Sequence, residues 1–129
     1  MASAPRIGND PQAPKSIDLQ ELARSAPGKQ PVWSHQSTDL SLNLISCTAG
    51  QEIGSHVNSE VDVVLVGVEG TGSVEIDGRN HPIGPGHVVV IPQGSQRAMH
   101  GDSAHFAYLT CHRRRAGLMP MMSQPIDAR

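Results

Sequence analysis

Residues 86–97 read GHVVVIPQGSQR. The apolar run 87–91 sits between two turn signals, Gly84-Pro85-Gly86 before it and Pro92-Gln93-Gly94 after it. A β-branched run of this length, closed at both ends by Gly and Pro, reads as one short strand. The same grammar recurs along the chain. Residues 39–45 (DLSLNLI) alternate, with Leu40, Leu42 and Leu44 on one face and Ser41 and Asn43 on the other. Residues 61–68 (VDVVLVGV) suit a strand buried on both faces. Residues 73–77 alternate and end in Asp77-Gly78, a tight-turn signal, and residues 104–111 (AHFAYLTC) make a final strand. Many short strands punctuated by Gly turns indicate an all-β sandwich or small barrel.

The flanks read differently. Residues 1–15 are Pro-rich, small and polar, the composition of a disordered leader. Residues 16–31 hold a short helix over 16–25 and a linker, with Ser16 as N-cap, Asp18 in the first turn and Leu19, Leu22 and Ala23 on one face. Ala26-Pro27-Gly28 stops the helix. The barrel is expected over 32–115, and 116–129 form a Met/Pro-rich C-terminal tail.

The chain of 129 residues suits one compact domain. Trp33, Phe106 and Tyr108 are its only aromatics, so aliphatic residues and Met must build the core. A net charge of −2 provides no global attraction for nucleic acid or an anionic membrane. No apolar stretch approaches the roughly 20 residues needed to span a bilayer, and no secretory h-region is visible. Cys47 and Cys111 do not make a disulfide framework; reduced thiols in a cytoplasmic protein are expected. The Val-rich edges and small core imply completion by a second copy, a homodimer.

The spacing of the turns resembles the cupin superfamily, a jelly-roll β-barrel. Its first motif runs Gly, five residues, His-x-His, three or four residues, Glu, six residues, Gly. Here Gly50, His56, Asn58, Val63 and Gly70 stand at those places. Its second runs Gly, five residues, Pro-x-Gly, two residues, His, and here Gly86, Pro92, Gly94 and Arg97 stand there. The short stretch between Gly70 and Gly86 is similar to the inter-motif segment of small bacterial cupins. The resemblance implies a small single-domain cupin of the cupin 2 kind, all-β with a short N-terminal helix. It also implies a metal held by three His and one Glu, and there this chain departs. Of those ligands only His56 remains; Asn58, Val63 and Arg97 occupy the other places. Val is no ligand and a guanidinium repels a cation, which marks a degenerate metal motif.

The stretch 56–62 (HVNSEVD) sets His56, Asn58, Glu60 and Asp62 at a spacing of two. Continued as one strand, all four share the inward face. In the strict cupin register a bulge near 59–61 puts Val63 inward, Asp62 outward and Glu60 at the corner. His56 and Asn58 point inward either way. Three readings of Arg97 follow. It pairs with Glu60 or Asp62 as a structural plug; it waits for an anionic ligand beside His56 and Asn58; or His56, Glu60 and His100 build an unconventional metal site. The cofactor stays open between none and a divalent metal such as Zn, Fe, Mn or Ni. His81 and His87 read as surface residues, and His105 and His112 flank the last strand. The basic run His112–Arg115 reads as a solvated strand end, without the stacking aromatics that nucleic-acid binding uses. The functional expectation is a small-molecule-binding protein with a polar barrel pocket for an anion, with catalysis left open. A metal-dependent dioxygenase, isomerase or lyase, and a closed structural barrel, are the alternatives.

Overall fold

The computed structural model describes residues 14–25, 32–50, 52–57 and 61–114, with 52–57 described in their backbone. Helix α1 (Leu19–Ser25) opens the described chain. Its cap is Asp18 and not the expected Ser16. The Asp18 carboxylate accepts the Glu21 amide at 3.1 Å, and its carbonyl accepts the Leu22 amide at 3.1 Å. A carboxylate there satisfies a free amide and also meets the positive end of the helix dipole. Asp18→Ala is expected to cost about 1 kcal/mol, read as a lower urea midpoint with an unchanged m-value. No helix among the described residues is long and apolar enough to cross a membrane.

Nine strands follow among the described residues: β1 (Trp33–Gln36), β2 (Leu40–Thr48), β3 (Glu52–Val57), β4 (Val63–Glu69), β5 (Gly72–Ile76), β6 (Arg79–Ile83), β7 (Val88–Ile91), β8 (Gln96–Gly101) and β9 (His105–Arg113). They form a five-stranded sheet in the order β1-β2-β9-β4-β7 and a four-stranded sheet in the order β3-β8-β5-β6. Every pairing among them is antiparallel. Two such sheets face to face make the jelly roll that the turn spacing implied.

Local chemistry explains the corners. Asp77 and Gly78 have φ of 49° and 86° and close the two-residue β5–β6 turn, the geometry an Asp-Gly pair favours. The framework glycines Gly50, Gly70, Gly86 and Gly94 also have positive φ, between 70° and 87°. Gly94 shows the reason: a Cβ there would meet nothing within 4 Å, so conformation alone and not space demands glycine.

Two cores result. The main one lies between the sheets and gathers Cys47, Val61, Val63, Leu65, Val74, Ile83, Ile91, Met99, Phe106 and Tyr108. The second lies outside the five-stranded sheet, where Leu19 and Leu22 of α1 and Trp33 of β1 pack on Ala23, Leu44, Val68 and Ala107. A surface ion pair, Arg24 to Glu69 at 3.3 Å, adds little to that contact.

The strand at 61–68 is not buried on both faces as its composition suggests. Val63 and Leu65 are buried inward, but Val64 on the other face is 37% exposed. The helix is seven residues long and covers only the Val68 end of the strand. On β2 the leucine face looks toward α1, with Leu44 buried among the side chains of α1 and Trp33. The face carrying Ser41, Asn43, Ile45 and Cys47 therefore looks into the barrel, since Ile45 and Cys47 join the main core.

Candidate functional site

Arg97 carries a cationic nitrogen into the interior of the fold. Strand β8 alternates, and Met99, two residues on, is buried in the main core. Arg97 shares that face, is half-buried, and has its Nη1 nitrogen fully buried. Its backbone is pinned from two sides. Asp77 Oδ1 accepts the Gln96 amide at 2.9 Å, and the Asp77 amide donates to the Gln96 carbonyl at 2.9 Å. Asp62 Oδ1 accepts the Gln93 amide at 2.8 Å and so holds the turn that leads into β8.

Two further groups share this interior. Burial pushes the Tyr108 hydroxyl well above the ordinary phenol range; the neighbouring Cys47 raises it further and the Arg97 guanidinium pulls it back. Burial also raises the Cys47 thiol. At neutral pH Tyr108 is thus a neutral hydrogen-bond donor and Cys47 a protonated thiol, not a nucleophile. The cluster is one fixed cation beside two neutral polar groups, drawn from β8, β9 and β2. The Phe106 ring, 5.3 Å from that of Tyr108, packs beside it.

A polar row extends from this cluster along the inner face of the five-stranded sheet. Asn43 pairs with Thr110 and Ser41 with His112 across β2 and β9. Ser41 and Thr110 are buried, Asn43 and His112 half-buried, and Ser34 Oγ donates to Asn43 Oδ1 at 2.7 Å. His112 has the strand parity of Phe106 and Tyr108, the inward face. None of Tyr108, Cys47, Ser41, Asn43 or Thr110 stood out as a ligand in the sequence. The available signal was the shared parity on β2 and β9, which acquires meaning only once the register is known.

The expected site residues divide. The β3–β8 register sets the backbone of His56 opposite that of Arg97, after a one-residue irregularity between Ile53 and His56. Asn58 and Glu60 lie outside the described residues, as does the bulge expected near 59–61. Asp62 does not face the interior. It is exposed and spends its carboxylate on the Gln93 amide, as the strict register requires with Val63 inward. His100 is not brought to the interior either. It lies on the opposite face of β8 from Arg97 and Met99, with Nε2 3.3 Å from Asp102 at the surface. Among the described residues no group of three or more His, Cys, Asp or Glu is arranged to hold a metal ion.

Elsewhere, His105 Nε2 lies 2.8 Å from Ser46 Oγ, a hydroxyl on a fully buried residue. Arg114 donates through Nη1 to the Ser37 carbonyl at 3.2 Å, and its amide to the Asp39 carbonyl at 2.8 Å. This part of the basic run therefore ties the last strand to the β1–β2 connection.

No family model matches this sequence, and no curated protein matches it. Solved structures do. TT1209 from Thermus thermophilus is 28% identical, with a TM-score of 0.63 over 78% of this chain and 96% of that one. BH2720 from Bacillus halodurans is 15% identical, with a TM-score of 0.69 over 79% and 82%. KdgF from Halomonas sp. is 18% identical, with a TM-score of 0.61 over 67% and 81%. These likenesses are of fold, over 67% to 79% of this chain. The chain is a small cupin-like domain.

Proposed function

We propose that this domain binds a small organic anion inside the barrel, with Arg97 as its charge partner. The carrying observation is the half-buried Arg97, whose Nη1 lies in the interior and whose charge acts on the buried Tyr108 hydroxyl. A guanidinium fork matches a carboxylate or phosphate in two parallel bonds. Tyr108 adds a neutral donor, and Ser41, Asn43 and Thr110 supply groups suited to hydroxyls on the ligand. His56 and Asn58 are proposed to add directional hydrogen bonds opposite Arg97, with Glu60 at the corner.

The donor set argues against the metal usual in this fold. Two of the four ligand places hold Val63, a buried hydrocarbon, and Arg97, a fixed cation. We read the metal motif as degenerate and route no chemistry through a metal. The competing enzyme reading draws on neighbours such as salicylate 1,2-dioxygenase from Pseudoaminobacter salicylatoxidans, 20% identical with a TM-score of 0.54 over 21% of that chain. Stoichiometric Fe, Mn, Ni or Zn after reconstitution, lost in His56→Ala, would favour it.

The binding reading is tested by thermal shift with inorganic phosphate, acetate, succinate and tartrate. A ligand at about 100 times its Kd stabilises by about 2.7 kcal/mol. That shift is expected for a carboxylate, larger with tartrate than with succinate, and absent in Arg97→Ala. Arg97→Lys should retain part of it, because charge survives while the fork is lost. An equal shift in wild type and Arg97→Ala would reject the reading. No shift with any anion, together with destabilisation by Arg97→Ala, would make Arg97 a structural plug of a closed barrel.

A further inference from the structure

The inner wall of the five-stranded sheet is divided into a polar half and a hydrocarbon half. One row of the register runs Ser34, Asn43, Thr110, Leu65 and Val89 across β1, β2, β9, β4 and β7. Its first three side chains are polar and its last two are hydrocarbon. The neighbouring row repeats the division, with Ser41 beside His112 on the polar side and Val63 beside Ile91 on the other. Exposure falls in the same direction. Ser34, on the edge strand β1, is exposed and Asn43 half-buried, while Thr110 and Leu65 are buried. Ser41 is buried as well, so this polar half is more than a solvated sheet edge. The Asn43 amide also has a fixed sense. Its Oδ1 accepts the Ser34 hydroxyl at 2.7 Å, which leaves the Nδ2 donors turned away from β1.

We infer that the ligand is a 2-hydroxy carboxylate with a hydrocarbon tail, an acid that is polar along one flank only. This rests on the reading of Arg97 as the anchor of the carboxylate. A hydroxyl on the carbon beside the carboxylate meets the Asn43 donor and the Thr110 hydroxyl, which both gives and accepts hydrogen bonds. The tail then runs on the side of Leu65 and Val89, where its burial is favourable. A sugar-like acid with hydroxyls on both flanks presses some of them against hydrocarbon without partners, which costs more than a tail gains. A plain alkanoate forgoes the hydrogen bonds of the polar half. The wall therefore selects for an acid with two unlike sides.

The test is isothermal titration calorimetry of the full chain with lactate, 2-hydroxy-4-methylpentanoate, 4-methylpentanoate and gluconate. 2-Hydroxy-4-methylpentanoate is expected to bind tightest. It should exceed lactate by about 50-fold, because it buries three more carbons. It should exceed 4-methylpentanoate, which lacks the hydroxyl, by about 2- to 10-fold. Asn43→Leu should erase the gain from the hydroxyl and keep the gain from the tail. Val89→Thr should do the reverse, since it sets a hydroxyl in the half-buried hydrocarbon half. Circular dichroism checks both folds, and the four-acid series on wild type decides by itself if either variant fails to fold. Equal affinity for lactate and the two longer acids, or gluconate binding tightest, would overturn this inference and leave the Arg97 anchor standing. Binding of inorganic phosphate with none of the four acids would do the same. No response to any of these anions would remove both readings.

Discussion

Phe106→Ala is expected to remove about 3–5 kcal/mol of stability, the range for deleting a fully buried phenyl ring. Domains of this kind hold only about 5–15 kcal/mol in total. Phe106 is 0% exposed and sits in the main core between the sheets. Its ring lies over Gly72, where any Cβ would collide with it, so β5 and β9 are fitted to each other at this point. The chain has one Phe, one Tyr and one Trp; Trp33 belongs to the other core and the neighbouring Tyr108 is itself packed in this one, so no free ring stands ready to fill the space. Urea unfolding followed by circular dichroism reads the loss. Phe106→Leu should cost less, because most of the buried volume is kept. A loss below about 1 kcal/mol for Phe106→Ala would mean that the two sheets are not packed through this residue.

The second large effect is alkaline lability. Tyr108 has its pKa raised in the folded protein above the unfolded value of 10.0, chiefly by burial. Well below pH 10 both states keep the proton and the group costs nothing. Above it the unfolded chain releases the proton first, so stability falls as pH rises toward the folded pKa. The slope is about 1.4 kcal/mol per pH unit for one group. Cys47, raised from 9.0 by burial, adds the same trend above its unfolded value. Urea midpoints measured from about pH 8 to about pH 11 should therefore decline steadily. Tyr108→Phe should flatten the upper part of the curve, and Cys47→Ala should flatten its first part. A wild-type curve level to the alkaline end of that range would show that neither group is buried as described.

Much of the fold was legible because its signals are local. Asp77-Gly78 announces a turn since both residues adopt positive φ at small cost. The apolar run closed by Pro92 and Gly94 became β7, and the alternation at 73–77 became β5. The site was legible only in part. Arg97 stood out because a cation occupies a ligand place, and His56 lies opposite it in register. Asp62 turned outward as the strict register has it, while His100 misled because spacing alone does not say which imidazole reaches the interior. A backbone amide at Gln93 claims one, and the opposite parity of β8 takes the other to the surface.

By itself the sequence placed the turns at Asp77-Gly78, Gly84-Pro85-Gly86 and Pro92-Gln93-Gly94, because positive φ and proline act on the residues that carry them. Under the cupin resemblance it also set Val63 and Arg97 at two ligand places, and neither side chain is a ligand for a cation. Only the tertiary structure decided that the serine and asparagine face of β2 looks inward, since α1 and the Trp33 side chain pack on the leucine face. It alone joined Arg97, Tyr108 and Cys47, which lie on three strands in two sheets and meet only when those sheets close on each other.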